Sequence, residues 1–216
     1  MLRTVSAAIL LAPLLVLAQA ASAQPPPATE LPKVLTDCLK AQPNADALTA
    51  CTRAINNRGL APELKARAYF RRGRVRISMS ETAQGIADLD AAARVDPNDS
   101  AYPNEACWQR TIKDIELEVA LGYCDAAVRI CLDKPECGGR NRDSRALVYL
   151  KQKRPAEAYS DYDAAMQVKA NAHHQYGRGI AAIRLGRVAE GQADVAAANR
   201  LDPVVGGVYA GFGIRP

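Results

Sequence analysis

Small apolar residues recur along the chain in pairs whose members are seven residues apart. Because seven residues make two turns of an α-helix, both members of a pair lie on one helical face. The alanines that end the pairs follow one another at intervals of 38, 35, 38 and 33 residues. No run of alternating β-branched residues indicates a strand, so the pattern predicts helices alone. The pairs are Ala47 and Ala54, Gly85 and Ala92, Ala120 and Ala127, Ala158 and Ala165, and Gly191 and Ala198.

Two of these helices belong to segments whose sequences are similar over thirteen residues. The stretch GIADLDAAARVDP (85–97) aligns without a gap with GQADVAAANRLDP (191–203), and a further glycine precedes each stretch by twelve residues. Each Asp-Pro at the end predicts a helix stop, because proline lacks an amide donor and restricts the residue before it. Pro62 and Pro155 suit the first turn of a helix, where that donor is not needed.

These spacings resemble the tetratricopeptide repeat family, whose helix–turn–helix unit has about 34 residues. The resemblance covers roughly residues 44–203, and the stretches ACTRAINNRGL and EACWQR are similar to exported bacterial members. It implies an all-α fold, a right-handed superhelical stack of about four to five antiparallel helix pairs with a concave groove. The chain departs from the pattern where Trp108 replaces a glycine and where CLDKPECGGRN (131–141) is inserted between two units.

The repeat register implied by this resemblance selects among the fifteen ways in which six cysteines can pair. Cys107 lies thirteen residues before Ala120, near the middle of a unit's first helix, and Cys124 lies four residues after it, at a core position of the second helix. Cys51 has the equivalent core position in the first unit. We therefore expect three disulfides, and the third closes the inserted segment. The expected bonds are Cys38–Cys51, Cys107–Cys124 and Cys131–Cys137.

The N-terminus has the pattern of a secretory signal peptide, with one early positive charge, an apolar run and a small-x-small cleavage pattern. An N-terminal membrane anchor is the less favoured reading, because the run is short and contains a proline. We therefore expect a signal peptide over 1–23, a proline-rich linker over 24–32 and the helical repeat domain over 33–216. The mature protein would be periplasmic or secreted, without membrane contact, in a compartment where disulfides persist.

Catalytic and metal-binding patterns are absent from the sequence. It contains no Cys-x-x-Cys, nucleophile elbow, phosphate loop or His-Glu-x-x-His, and its two histidines, His173 and His174, are adjacent. The net charge of +5 is too small to indicate nucleic-acid binding in an exported protein. The sequence predicts no enzyme activity, no metal and no cofactor. Aspartates recur at equivalent places (Asp88, Asp90, Asp161, Asp163 and Asp194), and we interpret them as ion-pair partners of Arg72, Arg145 and Arg178.

The resemblance implies that the first helix of each unit lines the groove. The segment RAYFRRGRVR (67–76) places five arginines in ten residues on one such helix, and later units add Arg140 to the lining. A solvated face of long cations is the alternative for any single arginine. The expected partner-binding residues are Arg67, Phe70, Arg71, Arg74, Lys113, Lys151, Tyr176 and Arg184.

The sequence therefore predicts an exported adaptor that binds a protein or peptide, possibly a carboxylate-rich one, through a basic and partly apolar groove. A structural subunit of an envelope assembly, whose groove packs another subunit, is the alternative. An enzyme or metal carrier is the third hypothesis.

Overall fold

The computed structural model describes residues 31–216, which form a single unit built from helices. The predicted signal peptide and most of the predicted linker lie outside the described residues. No strand occurs within the described part of the chain. The helices are α1 (Lys33–Lys40), α2 (Ala45–Asn56), α3 (Pro62–Ser78), α4 (Thr82–Val95), α5 (Ala101–Ile112), α6 (Leu117–Ile130), α7 (Pro135–Lys151), α8 (Pro155–Val168), α9 (Ala172–Arg184), α10 (Val188–Leu201) and α11 (Val205–Gly211).

The first ten helices form five consecutive pairs, and α11 follows the last pair. Each second helix packs against the first helix of its own pair and against the first helix of the next pair. The first helices also contact one another, as α1 does with α3, α5 with α7, and α7 with α9. They therefore form the inner layer of the stack. The all-α helical repeat solenoid that the sequence predicts is confirmed.

The helices begin and end where the prolines of the sequence predict. Pro62 and Pro155 are the first residues of α3 and α8, and α4 and α10 end directly before the two Asp-Pro dipeptides. Asn44 caps α2, because its side-chain oxygen accepts hydrogen bonds from the amides of Asp46 and Ala47.

Glycines allow the two helices of a pair to approach closely. A β-carbon on Gly73 would lie 2.8 Å from the carbonyl oxygen of Gly85, and a β-carbon on Gly179 would lie 2.8 Å from that of Gly191. The pair α5–α6 has Trp108 at the equivalent place, and a disulfide brings the α-carbons of Cys107 and Cys124 to 5.3 Å. The third pair thus replaces a backbone contact with a covalent bond.

Three disulfides join the six cysteines, in the pairs that the repeat register predicts. Cys38–Cys51 links α1 to α2, and Cys107–Cys124 links α5 to α6. Cys131–Cys137 links the residue that follows α6 to the first turn of α7. The described chain contains no free cysteine.

The prediction of an inserted loop over 131–141 is wrong for most of its length. The helix α7 begins at Pro135, so residues 135–141 form its first two turns and make it as long as α3. Proline suits the first position of a helix, and the side-chain amide of Asn141 donates to the Ala127 carbonyl 2.9 Å away on α6. The extra residues therefore lengthen a repeat helix and attach it to the preceding one.

Four of the five recurring aspartates form ion pairs with the arginines that we expected from the sequence, and the fifth, Asp90, pairs instead with Arg110 of the next pair of helices. In three pairs of helices an arginine of the first helix donates two hydrogen bonds to an aspartate of the second. The same arginine also reaches a side chain of the preceding pair. The carboxylates of these aspartates are thus bound by arginines of neighbouring helices. The closest contacts are Arg72–Asp88 at 2.7 Å, Arg145–Asp161 at 2.7 Å and Arg178–Asp194 at 2.8 Å.

Candidate binding groove

The inner layer of first helices forms a groove with two different halves. In the half formed by α3, the start of α5 and the start of α7, a cavity of about 340 Å³ lies open. We call this the open half. In the half formed by α5, α7 and α9, residues 205–216 lie over the helices. We call this the covered half.

The open half combines cations with apolar area. Phe70, Arg74, Glu105 and Arg140 line its cavity. The Arg74 side chain is 58% exposed, and its guanidinium carbon lies 5.8 Å from the centre of the Phe70 ring. Its Nε atom is 3.8 Å from a carboxylate oxygen of Glu105, which offsets only part of its charge at this exposed site.

The three arginines predicted for the groove have different surroundings. Arg67 and Arg74 are exposed, whereas Arg71 is half-buried. The Nη2 atom of Arg71 donates a 2.7 Å hydrogen bond to the carbonyl oxygen of Ala41, just after α1. Arg71 therefore attaches α3 to the preceding pair, and we assign it a structural contact.

Asn104 is a polar residue of the open half that sequence reasoning missed. It is buried and lines the same cavity, yet its Oδ1 atom accepts no hydrogen bond from the described residues. An unpaired buried acceptor costs about 1–3 kcal/mol, so a donor from a ligand would be favourable here. The only sequence signal was its place next to Glu105, which has the groove position that Phe70 has on α3.

The two lysines predicted for the groove differ in how accessible they are to a ligand. Lys113 is exposed directly after α5. The Lys151 side chain is only 6% exposed, and its Nζ atom lies 3.2 Å from a carboxylate oxygen of Asp114. A ligand would have to displace this ion pair before it could use Lys151.

Aromatic residues attach the C-terminal segment to the covered half. The Tyr209 ring lies 5.0 Å from that of Tyr176, and its hydroxyl donates to the His173 carbonyl oxygen at 2.9 Å. The Phe212 ring meets Trp108 edge-on at 5.4 Å. The predicted groove residue Tyr176 therefore contacts the chain's own C-terminal segment.

Arg184 also holds this segment. Its Nη2 atom donates to the carbonyl oxygen of Arg215 at 3.1 Å, and its Nη1 atom donates to that of Leu150 at 2.9 Å. Ile214 is buried beside it. The predicted residues Tyr176 and Arg184 thus lie in the groove under residues 205–216, which follow the last predicted repeat unit.

A second cavity, of about 520 Å³, adjoins the covered half and contains an unusual carboxyl group. It is lined by Trp108, Arg140, Asp143 and His173, among others. Burial raises the pKa of Asp143 from 3.8 to about 7. The sequence signal was its spacing, since Asp143 follows Glu105 by the same interval that separates other equivalent groove residues.

Asp143 should make stability depend on pH. A carboxyl group with a higher pKa in the folded state stabilises the fold when protonated, so its contribution falls as pH rises from about 4 to 7. We expect Asp143→Asn to gain at least about 1 kcal/mol over the wild type between pH 5 and pH 8, the equivalent of roughly one pKa unit. Urea unfolding of both proteins at the two pH values measures this.

His174 has the opposite effect on the pH dependence of stability, because burial is the main cause that lowers its pKa. Both the wild type and Asp143→Asn retain His174, so its contribution cancels when the two proteins are compared. Equal pH dependence in the variant and the wild type would show that Asp143 is ionised in the fold at an ordinary pKa.

The described residues contain neither a metal-binding cluster nor a membrane-spanning helix. No group of three histidine, cysteine or carboxylate side chains in this part of the chain could hold a metal ion. None of the helices from α1 to α11 is both long enough and apolar enough to span a membrane. The expectation that the protein holds no metal and no cofactor stays a prediction.

Solved structures with the same arrangement of helices share little sequence with this chain. MamA RS-1, a double mutant, superposes with a TM-score of 0.64 at 14% identity, over 79% of this chain and 92% of that one. MamA MSR-1 has a TM-score of 0.62 at 10% identity, over 79% and 93% of the two chains. TTC0263, a TPR protein of Thermus thermophilus, has a TM-score of 0.57 at 16% identity, over 78% and 88%.

No protein-family model and no curated protein matches the chain. At identities of 10–16% these likenesses establish the fold alone. The fold is a tetratricopeptide-repeat-like helical stack, as the sequence spacing predicts.

Proposed function

We propose that this protein is an exported adaptor that binds a protein or peptide partner through the open half of its groove. A stack of helix pairs of this kind offers a long inner surface for another chain. The observation on which we base the proposal is the open cavity between Arg74 and Arg140. Its lining combines these two cations and two carboxylates, Asp99 and Glu105, with the Phe70 ring and the unpaired acceptor of Asn104.

The mixture favours a peptide that bears carboxylates. Arginine recognises carboxylates through charge-assisted and often bidentate hydrogen bonds. A peptide amide could donate to Oδ1 of Asn104, and an apolar side chain could pack on Phe70. A simple anion would satisfy the arginines only, whereas an acidic peptide could satisfy all three features.

Export is supported by the disulfides, which persist in oxidising compartments. We propose the periplasm or the extracellular space as the location, with the signal peptide over 1–23 removed. The partner would then be a protein or peptide of that compartment rather than a nucleic acid, and no membrane contact is needed.

We propose a binding role rather than catalysis. The recurring carboxylates that could serve as acids or bases lie within hydrogen-bonding distance of arginines and are occupied in the fold. The second candidate is a structural subunit of an envelope assembly. It differs from an adaptor in that its partner would be recovered in a constant stoichiometric ratio.

Replacing Arg74 and Arg140 together by alanine should reduce partner recovery from envelope extract by at least about 10-fold, because each charge-assisted hydrogen bond contributes about 1.5–3 kcal/mol. The remaining binding should weaken as salt rises. We choose Arg140 rather than Arg71, since Arg71 is tied to Ala41 and its loss would disturb the fold.

The matched control is the double variant Arg129→Ala and Arg200→Ala. Both residues are exposed on second helices, so the net charge changes equally away from the groove. Equal partner recovery by the two double variants would exclude the open half as the binding site. Recovery in a constant ratio to the protein would favour the structural-subunit alternative.

A further inference from the structure

Residues 205–216 do not continue the repeat. In three of the preceding pairs a carboxylate of the second helix reaches an arginine of the next pair, as Asp163 does with Arg178 at 2.7 Å. The equivalent residue of α10 is Ala196, 33 residues after Asp163. No ion pair therefore ties residues 205–216 to the last pair of the stack.

The segment contacts the groove through uncharged side chains and a main-chain group. Its side chains from Val205 to Ile214 carry no charge. Tyr209, Phe212 and Ile214 pack on the groove, and Arg184 holds a backbone carbonyl oxygen. Such contacts depend on an apolar pattern and on main-chain groups, which another chain could supply equally well.

The segment is attached in two separate parts. Tyr209 is buried and its hydroxyl is within hydrogen-bonding distance of two oxygen atoms, so α11 belongs to the core. After α11, Gly213 adopts a positive φ of 75° that turns the chain. The attachment after α11 consists of the half-buried Phe212 ring, the buried Ile214 side chain and the hydrogen bond from Arg184. The hydrogen bonding of the Tyr209 hydroxyl does not depend on these contacts, so the residues after α11 can leave the groove while α11 stays.

The groove also has free space beside the segment. A cavity of about 490 Å³ is lined by Leu150, Lys151, Arg184, Gly213 and Ile214. A partner that follows the path of the tail could therefore place a larger side chain in this cavity.

We propose that the covered half is a second peptide-binding surface, which residues 212–216 occupy as an internal ligand, and that a partner segment with an aromatic residue two positions before an aliphatic one displaces them. The proposal extends the proposed adaptor function, and it rests on a different half of the groove. Trp108 and Arg184 are the groove residues that bind the tail and would bind the partner segment.

The test uses the full mature chain and the synthetic peptide GFGIRP, which copies residues 211–216. The double variant Phe212→Ser and Ile214→Ser releases the tail and leaves Tyr209 in place. We expect it to bind the labelled peptide at least about 10-fold more tightly than the wild type, whose own tail competes, as measured by fluorescence anisotropy. The control peptide GSGSRP should bind neither protein.

Trp108 reports the same event, because it is the only tryptophan of the chain and Phe212 lies against its ring. Its emission should change in the double variant and return toward the wild-type spectrum when the peptide is added. Equal peptide binding by the variant and the wild type, or no binding by a variant whose helical signal is intact, would overturn the proposal.

A second variant tests the attachment of the tail if the double variant does not fold. Arg184→Ala removes only the hydrogen bonds to the two carbonyl oxygens and should weaken tail attachment, which would change Trp108 emission in the same direction. The single variant Arg74→Ala, whose side chain lines the open half but not the cavity that contains Trp108, should leave tail attachment and Trp108 emission unchanged. The experiments can therefore show separately whether the proposal for the open half or the proposal for the covered half is wrong.

Discussion

Replacing Asp161 by alanine should lower the free energy of unfolding by about 3 kcal/mol, because it leaves the Arg145 guanidinium without its main counter-charge. The Asp161 side chain is only 6% exposed, and its two oxygens accept hydrogen bonds of 2.7 and 2.8 Å from Arg145. A guanidinium stays protonated at every pH at which the protein would be studied, so Arg145 cannot relieve the loss by giving up its proton. Urea denaturation followed by circular dichroism measures the loss.

The second carboxylate on the same arginine provides the control. Asp125 lies 2.9 Å from Nη1 of Arg145, but its side chain is 44% exposed. Solvent screens such a pair, so Asp125→Ala should cost less than about 1 kcal/mol. If the two substitutions lower the free energy of unfolding equally, the burial of an ion pair would not determine how much it stabilises the fold. Our account of the recurring aspartates would then be wrong.

Disulfides and ion pairs have the same role in different pairs of helices. Cys107 lies thirteen residues before Ala120, as Arg72 and Arg145 lie thirteen before the small residues of their own units. The pairs α1–α2 and α5–α6 have disulfides, and the other three pairs have buried arginine–aspartate contacts. Each pair thus has a covalent or an ionic connection between its helices besides apolar packing.

This equivalence explains why the fold could be predicted from the sequence. Two helices that approach closely need small residues at the contact, and the spacing of those residues is visible in a single chain. Once the register is known, it places Cys107 opposite Cys124 and Arg72 opposite Asp88. The solved structures then agree in fold although they share only 10–16% of their residues with this chain.

The groove could be predicted less completely, because its contacts join residues that no local pattern connects. Arg71 donates to a carbonyl oxygen 30 residues away, and Lys151 pairs with Asp114. A backbone carbonyl oxygen offers no sequence signal. The C-terminal segment has no repeat pattern at all, so its position over Trp108 follows only from the packed structure.

Replacing Gly191 by alanine should lower the free energy of unfolding by about 2 kcal/mol. The added β-carbon would clash with the carbonyl oxygen of Gly179 and lie 2.8 Å from the amide nitrogen of Ile183. Both are backbone atoms, which cannot rotate away as a flexible side chain can. Overpacking of this kind costs about 1–3 kcal/mol, and two helices must separate to relieve it.

Gly122→Ala is the matched control, because Gly122 also lies inside a helix but its added β-carbon would meet nothing within 4 Å. Alanine is a better helix former than glycine, so this variant should be as stable as the wild type or more stable by up to about 1 kcal/mol. Thermal and urea unfolding of the two variants would separate helix propensity from helix approach. A stabilised Gly191→Ala protein would mean that α9 and α10 can move apart without loss, and that the repeated glycines serve another purpose.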